Sequence, residues 1–136
     1  MTIVIDASVA AKWLIAEPDS DAANALLIED LIAPSIFLNE CANVLWKRIK
    51  SGEISSAEGV ELFDSLTTGE IILYEVAPAE AFALAIELNH PVYDCLYLAL
   101  ARARNVQVVT ADRRFVKAAV DAGYGAHIRL LGDRQL

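Results

Sequence analysis

Apolar side chains fill consecutive positions in TIVI at 2–5, and similar short runs return as LIA at 31–33, IILYEV at 71–76 and VQVVT at 106–110, with HIRLL at 127–131 a fifth. Runs that are apolar on both alternating faces predict strands covered on both sides. Between them the apolar positions recur with helical spacing, predicting helices over 8–16, 20–30, 35–51, 55–67, 79–89, 92–104 and 112–122. Pro34, Pro78 and Pro91 each precede a helical stretch, where a missing N–H is harmless, and Ser55 with Glu58 has the spacing of a capping box. Gly52, Gly69, Gly123 and Gly125 fall where helices should stop or the chain should turn. Strands alternating with helical connectors imply parallel crossovers. The expected fold is therefore α/β, a three-layer α/β/α sandwich around a central parallel sheet of about five strands.

Composition narrows the class. A chain of 136 residues that is 56% hydrophobic has enough apolar material for one core, so residues 1–136 are expected to form a single domain. The hydrophobic share is high for a soluble chain and points to an oligomer or partner interface. Cys41 and Cys95 are the only cysteines and lie far from any CxxC spacing, which suggests neither a disulfide framework nor a zinc knot. The start MTIVIDASVAAKW has no basic leader, and no long uncharged apolar run follows, so a cytoplasmic protein without a membrane span is expected. The formal charge of -8 excludes a protein that grips a polyanion with its whole surface. Nucleic-acid contact, if made, is local.

Four acids stand where charge needs a reason. Asp6 follows TIVI and Asp112 lies just beyond VQVVT, at the carboxyl ends of strands expected to be parallel, where open α/β sheets place ligands. Glu40 and Asp94 interrupt apolar helix faces, Glu40 between Ile36 and Val44 and Asp94 ahead of Leu98 and Ala101. Taken singly, Asp6, Asp94 and Asp112 also suit helix caps, each worth about 1 kcal/mol. Glu40, well inside its helix, needs a partner. Either Lys47 at i+7 or a cation shared with the other acids would serve. Converging carboxylates raise one another's pKa unless a hard cation compensates, and an all-oxygen set suits Mg²⁺ or Mn²⁺ better than zinc. Such an ion supports water attack on a phosphodiester, which makes a nuclease the economical reading.

The segments IDAS at 5–8, LNECANVLWK at 38–47, YDCLYLALA at 93–101 and VVTADRRF at 108–115 together resemble the PIN-domain family, and especially its VapC toxin branch. The likeness spans essentially the whole chain in order. It implies a five-stranded parallel sheet and a Mg²⁺- or Mn²⁺-dependent endoribonuclease whose acids correspond to Asp6, Glu40, Asp94 and Asp112, with Asp6 and Asp94 the most direct metal ligands. It also implies the toxin role of a type II toxin–antitoxin pair, a VapB-like antitoxin covering an apolar groove, and a homodimer. Some members carry a further acid or Asn after the fourth position. Here Arg113, Arg114, Phe115 and Val116 follow, which weighs against a fifth ligand.

Supporting roles fall to Ser8, which could hold a water or phosphate or cap a helix, and below it to Thr110, a strand-terminal hydroxyl near Asp112. Arg113 and Arg114, beside Asp112, are the candidate phosphate contacts of an RNA substrate, against the plain alternative of a solvated basic face. His90, in an NHP loop, and His127 are the only imidazoles, and neither is assigned as a base. Trp13 and Trp46 are core residues by default and partner-facing otherwise. Two rivals compete with the nuclease. A receiver-type signalling domain would need an acidic pair after the first strand and an acceptor Asp on a middle strand, but IILYEV runs into Ala77 and Pro78. A catalytically idle PIN-like binding module would not need all four acids.

Overall fold

The computed structural model describes residues 1–133. In chain order the elements are β1 (Thr2–Ile5), α1 (Ala7–Leu14), α2 (Ser20–Asn24) with a 3₁₀ turn Ala25–Ile28, β2 (Asp30–Pro34), α3 (Phe37–Lys50), α4 (Ser56–Thr67), β3 (Ile72–Tyr74), α5 (Pro78–Leu88), α6 (Val92–Arg104), β4 (Val108–Thr110), α7 (Arg113–Asp121), a 3₁₀ turn Gly125–His127, and β5 (Ile128–Leu130). All neighbouring strands are parallel and the order is β3-β2-β1-β4-β5. One register row crosses the whole sheet through Ile72, Ile32, Val4, Val108 and Ile128. Four of its five members are buried, and the apolar run of each central strand has a helix layer against either face.

Chain direction across the sheet reverses once. From β1 the chain steps outward to β2 and β3, then returns past β1 to β4 and β5. Right-handed crossovers put α1–α4 on one face and α5–α7 on the other, the expected α/β/α layering. The reversal leaves a crevice at the carboxyl ends of β1 and β4, which open α/β sheets use for ligands. Asp6 ends β1 and Asp112 follows β4, so both stand at this crevice.

Helix 20–30 departs from the sequence expectation. Its α-helical part stops at Asn24, a 3₁₀ turn covers Ala25–Ile28, and β2 starts at Asp30. Thr2 is in register with Asp30, so pairing with β1 claims backbone that the periodicity assigned to a helix. The expectation that strands are covered on both faces fails at β3, an edge strand in which Ile72 is 57% exposed. That segment pairs only over 72–74, not over 71–76. Ser55 and Glu58 do form the reciprocal capping box. Gly52 and Gly123 take positive φ at helix ends, but α5 and α6 stop on Asn89 and Asn105, each left-handed with φ near 50°. Asn is the commonest substitute for Gly at that position.

Candidate active site

Four elements deliver the acids to one cavity of about 550 Å³, lined by Asp6, Glu40, Asp94 and Asp112. Asp6 comes from the end of β1, Asp112 from the end of β4, Glu40 from the first turn of α3 and Asp94 from the first turn of α6. Helices on opposite faces of the sheet thus reach over its carboxyl edge toward each other.

Asp6 is 5% exposed, and its carboxylate caps nothing. Its Oδ2 accepts hydrogen bonds from Thr110 Oγ1 at 2.6 Å and from Ser8 Oγ at 2.9 Å. Burial pushes the Asp6 carboxyl up to about 6, the Asp94 and Glu40 carboxylates push the same way, and the two hydroxyls offset part of the rise. Thr110 also accepts from the Asp112 backbone N–H at 3.1 Å, and Ser8 accepts from Ala111 N–H at 3.0 Å, so both hydroxyls tie the two strand ends together. Of the two hydroxyls, Thr110 is fully buried and holds the shorter bond.

Asp112 does serve as a helix cap. Its Oδ1 accepts from the N–H groups of Arg114 at 2.9 Å and Phe115 at 3.3 Å, which also fixes the carboxylate at the cavity edge. Glu40 finds a partner that its sequence neighbourhood did not suggest. Tyr97 of α6 donates to its Oε1 at 2.6 Å, in place of the Lys47 considered above. Burial raises the Glu40 carboxyl above its ordinary range, and the Tyr97 hydrogen bond opposes the rise. His90 Nε2 lies 2.7 Å from Asp94 Oδ2, and its ring stacks on the buried Phe115 with centroids 5.1 Å apart. Among the described residues His90, Asp94 and Asp112 form a group of possible ligand atoms all within 4.8 Å of one another. Asp6 and Glu40 share the cavity but point their bonded oxygens at hydroxyls instead.

A sequence profile of the PIN domain matches residues 3–121. The chain belongs to the PIN-domain family. Curated proteins similar to it include Ribonuclease VapC3 of Pyrobaculum aerophilum, 29% identical over 123 residues, 86% of this chain and 94% of that protein. Ribonuclease VapC9 of Mycobacterium tuberculosis is 30% identical over 112 residues, 82% of this chain and 87% of that protein. Ribonuclease VapC12 of the same species is 28% identical over 130 residues, 95% and 98% of the two chains. Among solved structures, the crystal structure of PAE2754 from Pyrobaculum aerophilum matches with a TM-score of 0.71, covering 94% of this chain and 83% of that one at 19% identity, a likeness of fold.

In this PIN domain the donor set fits a hard divalent cation. Four carboxylates line one cavity, and Asp6 is held there against a desolvation penalty that a cation would relieve. His90 adds a nitrogen donor beside Asp94, which manganese accommodates more readily than magnesium. Arg113 and Arg114 are exposed at the start of α7 and do not line the cavity; Lys47 does. Burial pushes Cys41 up to about 12 and Cys95 up to about 11, so both stay protonated thiols beside their acids. Trp13 packs on the core and donates its indole N–H to Ala23 O at 2.7 Å, whereas Trp46 is 53% exposed.

Sequence reasoning missed Tyr97 and gave His90 no role at the site. Tyr97 hides in the apolar run YLALA, where nothing marks a polar role. His90 stands four residues before Asp94, a spacing that pairs side chains within a helix. It reads as a loop imidazole because the helix begins only at Val92.

Proposed function

We propose that this chain is a divalent-metal-dependent endoribonuclease of the VapC type, the toxin of a type II toxin–antitoxin pair, hydrolysing RNA phosphodiester bonds. The observation that carries the reading is the convergence of Asp6, Glu40, Asp94 and Asp112 on one cavity of a PIN-family chain. The relatives named as VapC ribonucleases support the substrate class. Asp6 and Asp94 are assigned as the principal metal-holding residues, with Glu40 and Asp112 completing the set and Mg²⁺ or Mn²⁺ as the ion. When bound, that ion supplies an activated water and charge neutralisation at the scissile phosphate.

The protein's own groups do the rest. Thr110 and Ser8 orient the Asp6 carboxylate, Tyr97 orients Glu40, and His90 orients Asp94. The Tyr97 hydrogen bond engages Glu40 Oε1 and leaves Oε2 for the ion that Glu40 helps to hold. No helix among the described residues is long and apolar enough to cross a membrane, in keeping with a cytoplasmic role. Exposed Phe82, Ile86 and Val120 offer apolar surface for the homodimer and the VapB-like antitoxin that the reading includes.

Purified protein incubated with end-labelled RNA tests the reading. Cleavage should appear with Mg²⁺ or Mn²⁺, vanish with chelator and vanish in Asp94→Asn. Cleavage that survives both treatments would overturn it, and RNA bound but never cut would leave only a binding module.

A further inference from the structure

We propose that α3 and the start of α6 form a track for single-stranded RNA, with Lys47 holding a phosphate, Asn39 and Asn43 reading base edges and Tyr93 stacking on a base. The inference rests on the endoribonuclease reading and names how that site takes its substrate. Asn39, Asn43 and Lys47 follow one another at i, i+4 and i+8, so they form one stripe about 12 Å long on α3. All three line the cavity that holds the four acids. None of the three side chains has a hydrogen bond or ion pair to another of the described residues, although most other polar groups around the cavity are engaged. Amides and an ammonium left without partners along an acid-lined cleft are available to a polar ligand.

Across the cleft, Tyr93 precedes Asp94 and is 61% exposed. A large aromatic ring held in solvent beside a phosphodiester-cleaving centre matches the stacking platforms on which unpaired bases sit. Among the described residues Lys47 is the one cation that lines the cavity, so it is the group placed to offset phosphate charge in a chain of net charge -8. Amides suit base edges because they offer both donor and acceptor. Base faces are open to stacking only where the strand is unpaired, and an RNA duplex keeps its base edges in a major groove too deep and narrow for side chains to read, which favours a single strand over a duplex as the ligand.

The test measures anisotropy of a labelled single-stranded RNA in Ca²⁺, with the probe checked for integrity on a gel, alongside cleavage kinetics in Mg²⁺. Tyr93→Ala should weaken binding about 10-fold or more, while Tyr93→Phe stays within about 2-fold. Lys47→Gln should lower the slope of log affinity against log salt by about 0.7, and Lys50→Gln, outside the cavity on the same helix, should leave it unchanged. Asn39→Ala and Asn43→Ala should alter which nucleotides flank the cut. The proposal is overturned if Tyr93→Ala and Lys47→Gln bind and cleave like the wild type, or if Arg113→Gln with Arg114→Gln removes the salt slope instead. Wild-type cleavage with an unchanged Lys47→Gln would sink the track and leave the nuclease standing. Wild-type binding without cleavage, sensitive to Tyr93 and Lys47, would do the reverse, and no RNA binding at all would remove both.

Discussion

Replacing Asp6 by Asn should make the metal-free protein more stable at neutral pH. Its carboxyl is pushed up to about 6 from the ordinary 3.8, chiefly by burial. A folded-state pKa above the unfolded value means that the folded chain binds the proton more tightly. Stability therefore falls as pH rises from 3.8 to about 6, and the full penalty persists above that. A shift of about 2 units corresponds to about 3 kcal/mol. Asn carries no charge to desolvate and keeps an oxygen for Thr110, but it loses the charge-assisted part of the bonds from Thr110 and Ser8. A net gain of about 1–3 kcal/mol is expected at pH 7.5, or roughly 3–10 °C in Tm for a chain of this size. Near pH 3.5 the gain should disappear. Denaturant melts in chelator across this pH range would show it, and added Mg²⁺ or Mn²⁺ should stabilise the wild type but not Asp6→Asn. A variant that is less stable than wild type at every pH, or one whose advantage does not depend on pH, would refute the reasoning. Asp6 would then be a structural hydrogen-bond acceptor whose charge costs the fold nothing.

Thr110→Val keeps the shape of a fully buried side chain but strips a donor from Asp6 and an acceptor from the Asp112 N–H. It should cost about 1–3 kcal/mol in thermal or denaturant melts and weaken Mn²⁺ binding measured by calorimetry. Tyr97→Phe leaves Glu40 without its hydroxyl partner, so the Glu40 carboxyl should titrate still higher by NMR and stability at neutral pH should fall by about 1 kcal/mol. His90→Ala removes both the Asp94 contact and the ring stacked on Phe115. Metal affinity should drop about 10-fold or more by calorimetry, and a value equal to wild type would show that His90 does not position Asp94. For the proposed homodimer, light scattering should give twice the monomer mass, with Phe82→Ser plus Ile86→Ser shifting it toward monomer.

The layering and the two strand-end acids were legible before any coordinates. Buried parallel strands announce themselves by apolar residues on consecutive positions, and right-handed crossovers then leave little freedom in where Asp6 and Asp112 stand. Glu40 and Asp94 were legible as charges on apolar faces, but nothing in one dimension says that helices from opposite layers aim them at the same cavity. Their partners were less legible still. Tyr97 meets Glu40 across 57 positions of chain, and its hydroxyl cannot be told from a core aromatic by spacing. Adjacency to Asp112 in sequence favours Arg113 and Arg114, but Lys47, far from Asp112 along the chain, is the basic side chain found among the cavity's lining residues. Local periodicity reports which face of an element is apolar, because burial acts on each residue through its immediate backbone geometry. Which hydroxyl, imidazole or ammonium meets which acid depends on how separate elements cross, and that is settled by packing of the assembled layers around the sheet.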